Sequence, residues 1–160
     1  MDGGSKIEAF LENAGMLHNL MGITPLLYGS LGLQYLTGEE LNADDIDMLI
    51  PKVYVGERWA EFRRVLEAQG YVLVDEHEHT FEKGGIHYAY AQIEELKSFA
   101  GIRMEEIKTV CDKSVCFKLL SLEQYLSVYT ASSKDGYRMN MKEKRDMEKI
   151  ALIKKKMHQE

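Results

Sequence analysis

Two short stretches carry residue types and spacings that suit phosphate chemistry: Leu27-Tyr28-Gly29-Ser30-Leu31-Gly32 and, with 14 residues between Ser30 and its first Asp, Asp45-Ile46-Asp47-Met48. Side chains at i and i+2 of a strand share a face, so Asp45 and Asp47 present both carboxylates on one side, with Ile46 and Met48 turned to the other. Carboxylates roughly 6–7 Å apart along a strand repel one another unless a cation lies between them. Hard oxygen donors of this kind suit Mg²⁺, which keeps waters and shares substrate phosphates. Gly29-Ser30 falls where a strand gives way to a helix, a place where backbone N–H groups and a hydroxyl approach a phosphate unobstructed. A phosphate cradle and a two-carboxylate metal site are the parts that phosphoryl or nucleotidyl transfer needs. Neither stretch is specific alone, since strand-end Asp residues often only solvate a loop. Their order and the apolar strand that follows favour function.

The elements that must position these residues are legible from periodicity. Ser5 with Glu8 forms a capping-box pattern ahead of Ile7, Phe10, Leu11, Ala14, Leu17 and Met21, with Gly22 as a stop. Ile23 to Tyr28 reads as a strand, Leu31 to Leu36 as a brief helix closing at Gly38, and residues 39–44 as a loop. Asp45 to Ile50 reads as a buried strand ended by Pro51, and Glu57 to Gln69 as a helix stopped by Gly70. Tyr71 to Lys83 and Ile86 to Ile93 read as strands joined through Gly84-Gly85, and Ile107 to Leu120 as a hairpin around Asp112-Lys113-Ser114. Ser121 with Gln124 caps a helix containing Tyr125, Leu126 and Tyr129, and a last helix covers about Lys142 to Met157. This order predicts an α/β (α+β) fold, a mixed sheet with a C-terminal helical extension. The expected division is a core over residues 1–120 and a helical segment over 121–160, packed as a single domain.

Composition narrows the partners. With 160 residues, 45% hydrophobic and 29% charged, the chain is ordinary for a globular protein with a real core. Its formal charge is −6, but from Lys134 onward nine basic residues face five acidic ones, leaving the first 133 residues with eleven against 21. An acidic body with a basic tail suits an anionic ligand, although on charge alone a solvated helix with a Lys-rich end is the simpler explanation of the tail. No apolar run approaches the length of a membrane span, and no basic, apolar leader opens the sequence, so a cytoplasmic protein without a membrane partner is expected. Cys111 and Cys116 lack Cys-x-x-Cys spacing and are expected to be free core thiols. The acidic body and lack of a binding module argue against nucleic acid as main substrate.

A small-residue pair after the first strand, then Asp-hydrophobic-Asp on the second, resembles the nucleotidyltransferase superfamily of the DNA polymerase β type. It is most similar there to the small bacterial members that modify antibiotics, proteins or nucleic-acid ends. The resemblance implies that Gly29 and Ser30 bind phosphate and that Asp45 and Asp47 bind the metal. Leu120-Ser121-Leu122-Glu123 before a helix, then Lys144-Arg145-Asp146 and Ile150, resembles the family's C-terminal helical segment. Lys144 or Arg145 would there balance the triphosphate charge. Active members add a third carboxylate on a later strand, but Ile86 to Ile93 contains none. Glu94, at that strand's end, is the best candidate, with Glu78 and His87 weaker ones. The implied activity is Mg²⁺-dependent transfer of a nucleoside monophosphate from NTP to a hydroxyl of a small molecule or protein. The alternative is a catalytically degenerate relative that binds a nucleotide or a protein partner. A weaker alternative is an antitoxin-like partner of a helical toxin.

Other residues invite chemistry less strongly. His77-Glu78-His79 on a strand would put two His on one face, but zinc needs a third ligand and a polar strand face is the simpler reading. Tyr125 and Tyr129, at i and i+4, read as a packing stripe. The stretch Ser133-Lys134-Asp135-Gly136-Tyr137-Arg138 reads as an interhelical loop suited to ligand contacts. Lys149 is a further candidate for phosphate, while Lys154 to Lys156 read as solvated charge.

Overall fold

The computed structural model describes residues 3–134 and 141–159. In chain order the elements are α1 (Gly3–Met21), β1 (Leu26–Tyr28), α2 (Gly29–Thr37), β2 (Ile46–Ile50), α3 (Trp59–Ala68), β3 (Val72–Asp75), β4 (Thr80–Lys83) and β5 (Ile86–Gln92), then α4 (Glu95–Ala100), β6 (Lys108–Asp112), β7 (Val115–Leu119), α5 (Leu122–Lys134) and α6 (Met141–His158). This is the expected mixed α/β architecture. The strands form one seven-stranded sheet in the order β3-β4-β5-β2-β1-β7-β6. β2 runs antiparallel to β1 and parallel to β5, and β7 runs parallel to β1.

The chain divides into two units, residues 1–94 with 109–119, and residues 95–108 with 120–160. The second unit takes in the excursion through 95–108, which includes helix α4, not foreseen from sequence. In the first unit, alternation along the strands turns Ile46, Met48 and Ile50 of β2 and Tyr88 and Tyr90 of β5 onto one face. Phe10, Ala14 and Leu17 of α1 and Phe62 and Leu66 of α3 pack into the same core. Phe62 anchors it through edge-on contacts with Tyr90 at 5.0 Å and Phe81 at 6.3 Å. Asn13 is a buried polar residue of this core, and its Oδ1 accepts the Tyr90 hydroxyl at 2.9 Å.

Several expectations meet corrections. The stretch Tyr71 to Lys83 is two strands rather than one, because residues 76–79 make a turn that the Glu78 N–H secures on Asp75 Oδ1 at 3.1 Å. Ser5 lies inside α1 rather than at its cap. Cys111 and Cys116 are not free core thiols: they are exposed, and a disulfide joins them across the β6–β7 hairpin. The hairpin turns on Lys113-Ser114, both at positive φ (50° and 68°), which sets positions 111 and 116 opposite one another.

In the second unit the Ser121/Gln124 box forms as expected. The Ser121 N–H donates to Gln124 Oε1 at 2.9 Å and the Gln124 N–H to Ser121 Oγ at 3.1 Å. Tyr125 and Tyr129 are buried and stacked at 5.9 Å, the packing stripe their spacing suggests. α5 and α6 are tied by the Ser132 hydroxyl, which donates to the buried Asp146 carboxylate at 2.7 Å. No described helix is long and apolar enough to cross a membrane.

Candidate functional site

β1 ends at Tyr28 and α2 begins at once with Gly29, whose φ of +65° lies in the left-handed region that glycine occupies without steric cost. A second constraint reinforces the first. A Cβ at Gly29 would sit 2.6 Å from Asp47 Oδ2 and 3.3 Å from Asp47 Cβ and Cγ, so only glycine lets the Asp47 carboxylate approach the start of this helix. The β1–β2 register explains the meeting, because Tyr28 pairs with Asp47 directly. The Tyr28 side chain makes no cap hydrogen bond to α2, and the backbone N–H groups and dipole of a helix start favour an anion or carboxylate. Ser30, half-buried, is the second residue of the helix.

Asp45 occupies the bend just before β2, two residues from Asp47 and on the same face. Its Oδ1 lies 3.9 Å from His87 Nδ1, and His87 Nε2 lies 3.4 Å from Glu82 Oε2. On β5 the residue paired with Asp47 is Ala89, so the strand expected to bring a third carboxylate offers a methyl group instead. Glu94 is not brought to this place. It lies five residues beyond Ala89, in the turn after β5, and its carboxylate accepts the Lys52 N–H at 2.9 and 3.2 Å.

A cavity of about 290 Å³ opens beside Asp47, with Gly29, Ala89 and Ala91 in its wall. The turn between β3 and β4 also lines it, with His77, Glu78 and His79. These three sit in a turn rather than on a strand, so the shared-face geometry expected of the two His residues does not apply. His79 takes a positive φ of 50°, its carbonyl accepts the Tyr90 N–H at 3.2 Å, and its ring meets Trp59 edge-on at 4.7 Å. From sequence His77, Glu78 and His79 could border the cleft on a strand next to the one carrying Asp47; they do line it, but from a turn, and β5 lies between β4 and β2. The signal for the turn was strand length, since 13 continuous residues from Tyr71 to Lys83 exceed the usual 3–10.

Among the described residues, no three His, Cys, Asp or Glu side chains cluster as a complete metal cage. Two carboxylates on one face, one of them beside the start of α2, still fit Mg²⁺, which takes its remaining ligands from water and phosphate. The Gly29 cradle, which a single Cβ would fill, fits the same group. Lys144 and Arg145 belong to the second unit. The Lys144 side chain lies outside the described residues, as do the side chain of Lys134 and residues 135–138 of the loop proposed for ligand contacts, and Arg145 is exposed.

This arrangement of sheet and helices matches nucleotidyltransferase-like folds. The chain superposes on the crystal structure of an antigenic nucleotidyltransferase-like protein from Paracoccidioides brasiliensis with a TM-score of 0.63 at 17% identity, covering 89% of this chain and 72% of that one. It superposes on the solution structure of the antibiotic-resistance factor ANT(2'')-Ia with a TM-score of 0.56 at 15% identity, covering 99% and 94%. In sequence, the chain belongs to the family of the uncharacterized protein YnaI of Bacillus subtilis (strain 168), with 38% identity over 146 residues, 91% of this chain and 94% of that protein. No protein-family model matches it.

Proposed function

We propose that the chain binds a nucleoside triphosphate with Mg²⁺ at Gly29, Ser30, Asp45 and Asp47 and transfers the nucleoside monophosphate to a hydroxyl of a small molecule or protein. The observation that carries this reading is the fit of Gly29 against Asp47 on the wall of the cavity. The start of α2 receives phosphate oxygens on its backbone N–H groups, with the Ser30 hydroxyl as a further donor. Asp45 and Asp47 are the residues that would hold Mg²⁺, which when bound neutralises phosphate charge and stabilises the leaving pyrophosphate. The acceptor oxygen forms a bond to the α-phosphorus as the bond to pyrophosphate breaks. The hydroxyl proton passes to a basic group on the cavity wall, where Asp47 and Glu78 are the carboxylates.

Ala89 opposite Asp47 favours a second reading, a fold that holds the nucleotide without turnover. Calorimetric titration of each NTP with and without Mg²⁺ tests the shared part. Binding should require the metal and vanish in the Asp45→Asn/Asp47→Asn variant. Absence of binding by any nucleotide would overturn both readings. Incorporation of labelled nucleotide into an acceptor, lost in Glu78→Gln while NTP binding persists, would separate the transferase from the silent binder.

A further inference from the structure

The two strands at the far edge of the sheet are held very differently. β7 is anchored from within: it pairs with β1, the Lys118 N–H donates to Pro25 O at 2.9 Å, and Phe117 is fully buried with its ring edge-on to Phe10 at 5.0 Å. β6 is the outermost strand of the sheet, with β7 as its neighbour among the described residues. The Cys111–Cys116 disulfide joins this outer strand to the anchored one. Directly after Cys111, Asp112 accepts the Tyr35 hydroxyl at 3.0 Å, and Tyr35 lies on α2, the helix that starts at Gly29. Lys113 adds a looser tie, its Nζ 3.8 Å from Glu8 Oε1 of α1.

We propose that Cys111 and Cys116 are a redox-active dithiol–disulfide pair, at which a small thiol sets how firmly β6, and through Asp112 and Tyr35 the helix α2, is held. A crosslink spanning a sequence separation of 5, around a turn that already brings its ends together, constrains the unfolded chain less than a long-loop bridge. Both cysteines are exposed, so their sulfurs are open to attack by a thiolate. In the forward step a small-molecule thiolate attacks one sulfur, the Cys111–Cys116 bond breaks and a mixed disulfide forms. A second thiol molecule resolves it, releasing the small disulfide and leaving two protein thiols with two electrons and two protons gained. β7 keeps its pairing with β1 throughout, while β6 loses its covalent tie and Asp112 its fixed place under Tyr35.

The test uses the full chain, equilibrated without denaturant in glutathione buffers from fully oxidised to fully reduced, then alkylated and weighed. Both cysteines should convert together within the range of the buffer. A disulfide that survives the fully reduced buffer, or thiols that persist in the fully oxidised one, would overturn the proposal. Hydrogen exchange over residues 29–37 tests the link to α2. Reduction should raise exchange several-fold in the wild type, and the Cys111→Ser/Cys116→Ser variant should show the raised rate in either buffer. Oxidised Tyr35→Phe should exchange as fast as the reduced wild type, with no further change on reduction. Equal exchange in oxidised and reduced wild type would refute the link.

Discussion

Replacing Gly29 by alanine probes the geometry on which the candidate site rests. The added Cβ would meet Asp47 Oδ2 at 2.6 Å, which is 0.8 Å inside the 3.4 Å at which ordinary contact begins. Rotation of the carboxylate relieves the oxygen, but Asp47 Cβ and Cγ, both at 3.3 Å, remain tight. The left-handed φ of +65° adds a cost of about 1–2 kcal/mol for any residue with a Cβ, and mild overpacking adds about 1 kcal/mol. The sum, about 2–3 kcal/mol, corresponds to a fall in Tm of about 6–9 °C for a chain of this length. Denaturation followed by fluorescence of Trp59, the single tryptophan, reads the first unit, because that ring packs on Phe62 and Phe81. Gly38→Ala is the control: its φ is +79° and nothing lies within 4 Å of its Cβ, so it carries backbone strain alone. Gly29→Ala should cost more than Gly38→Ala, and the excess should shrink in an Asp47→Ala background, where the carboxylate is gone. It should also lose Mg²⁺-dependent NTP binding, since the displaced carboxylate no longer sits beside the helix start. Equal costs for the two glycine variants, or an excess unchanged by Asp47→Ala, would refute the reasoning.

Three further outcomes are expected. Tyr90→Phe removes the hydroxyl that donates to the buried Asn13 Oδ1, a loss of about 1–3 kcal/mol in the same fluorescence assay. Burial, reinforced by Tyr71 and Glu12, pushes the Tyr88 phenol up to about 12. Because the folded state then holds this proton more tightly than the unfolded chain, stability should be unaffected by it below pH 10 and fall between about pH 10 and 12, and Tyr88→Phe should flatten that part of the decline. Ser121→Ala breaks the reciprocal cap at the start of α5 and should cost about 1 kcal/mol, measured by thermal loss of helical circular dichroism.

Local chemistry by itself determined the pieces. Helix and strand periods placed α1, α3, β2 and β5, Gly84-Gly85 marked the β4–β5 turn, and Ser121 with Gln124 marked the start of α5, because each depends on residues within a few positions of one another. The strand-to-helix change at Gly29-Ser30 and the shared face of Asp45 and Asp47 were legible for the same reason. Which strands become neighbours, and in what register, depends on pairing between residues far apart in sequence, and that only the tertiary structure decided. The β2–β5 register sets Ala89 opposite Asp47 and carries Glu94 toward Lys52, although nearness to the strand end made Glu94 look suitable. The β3–β4 turn brings Glu78 into the wall beside Asp47 because β4 pairs with β5, and β5 with β2. At the cysteines the missing Cys-x-x-Cys spacing suggested free thiols, but the two-residue turn Lys113-Ser114 sets Cys111 and Cys116 face to face across the hairpin and lets the disulfide close.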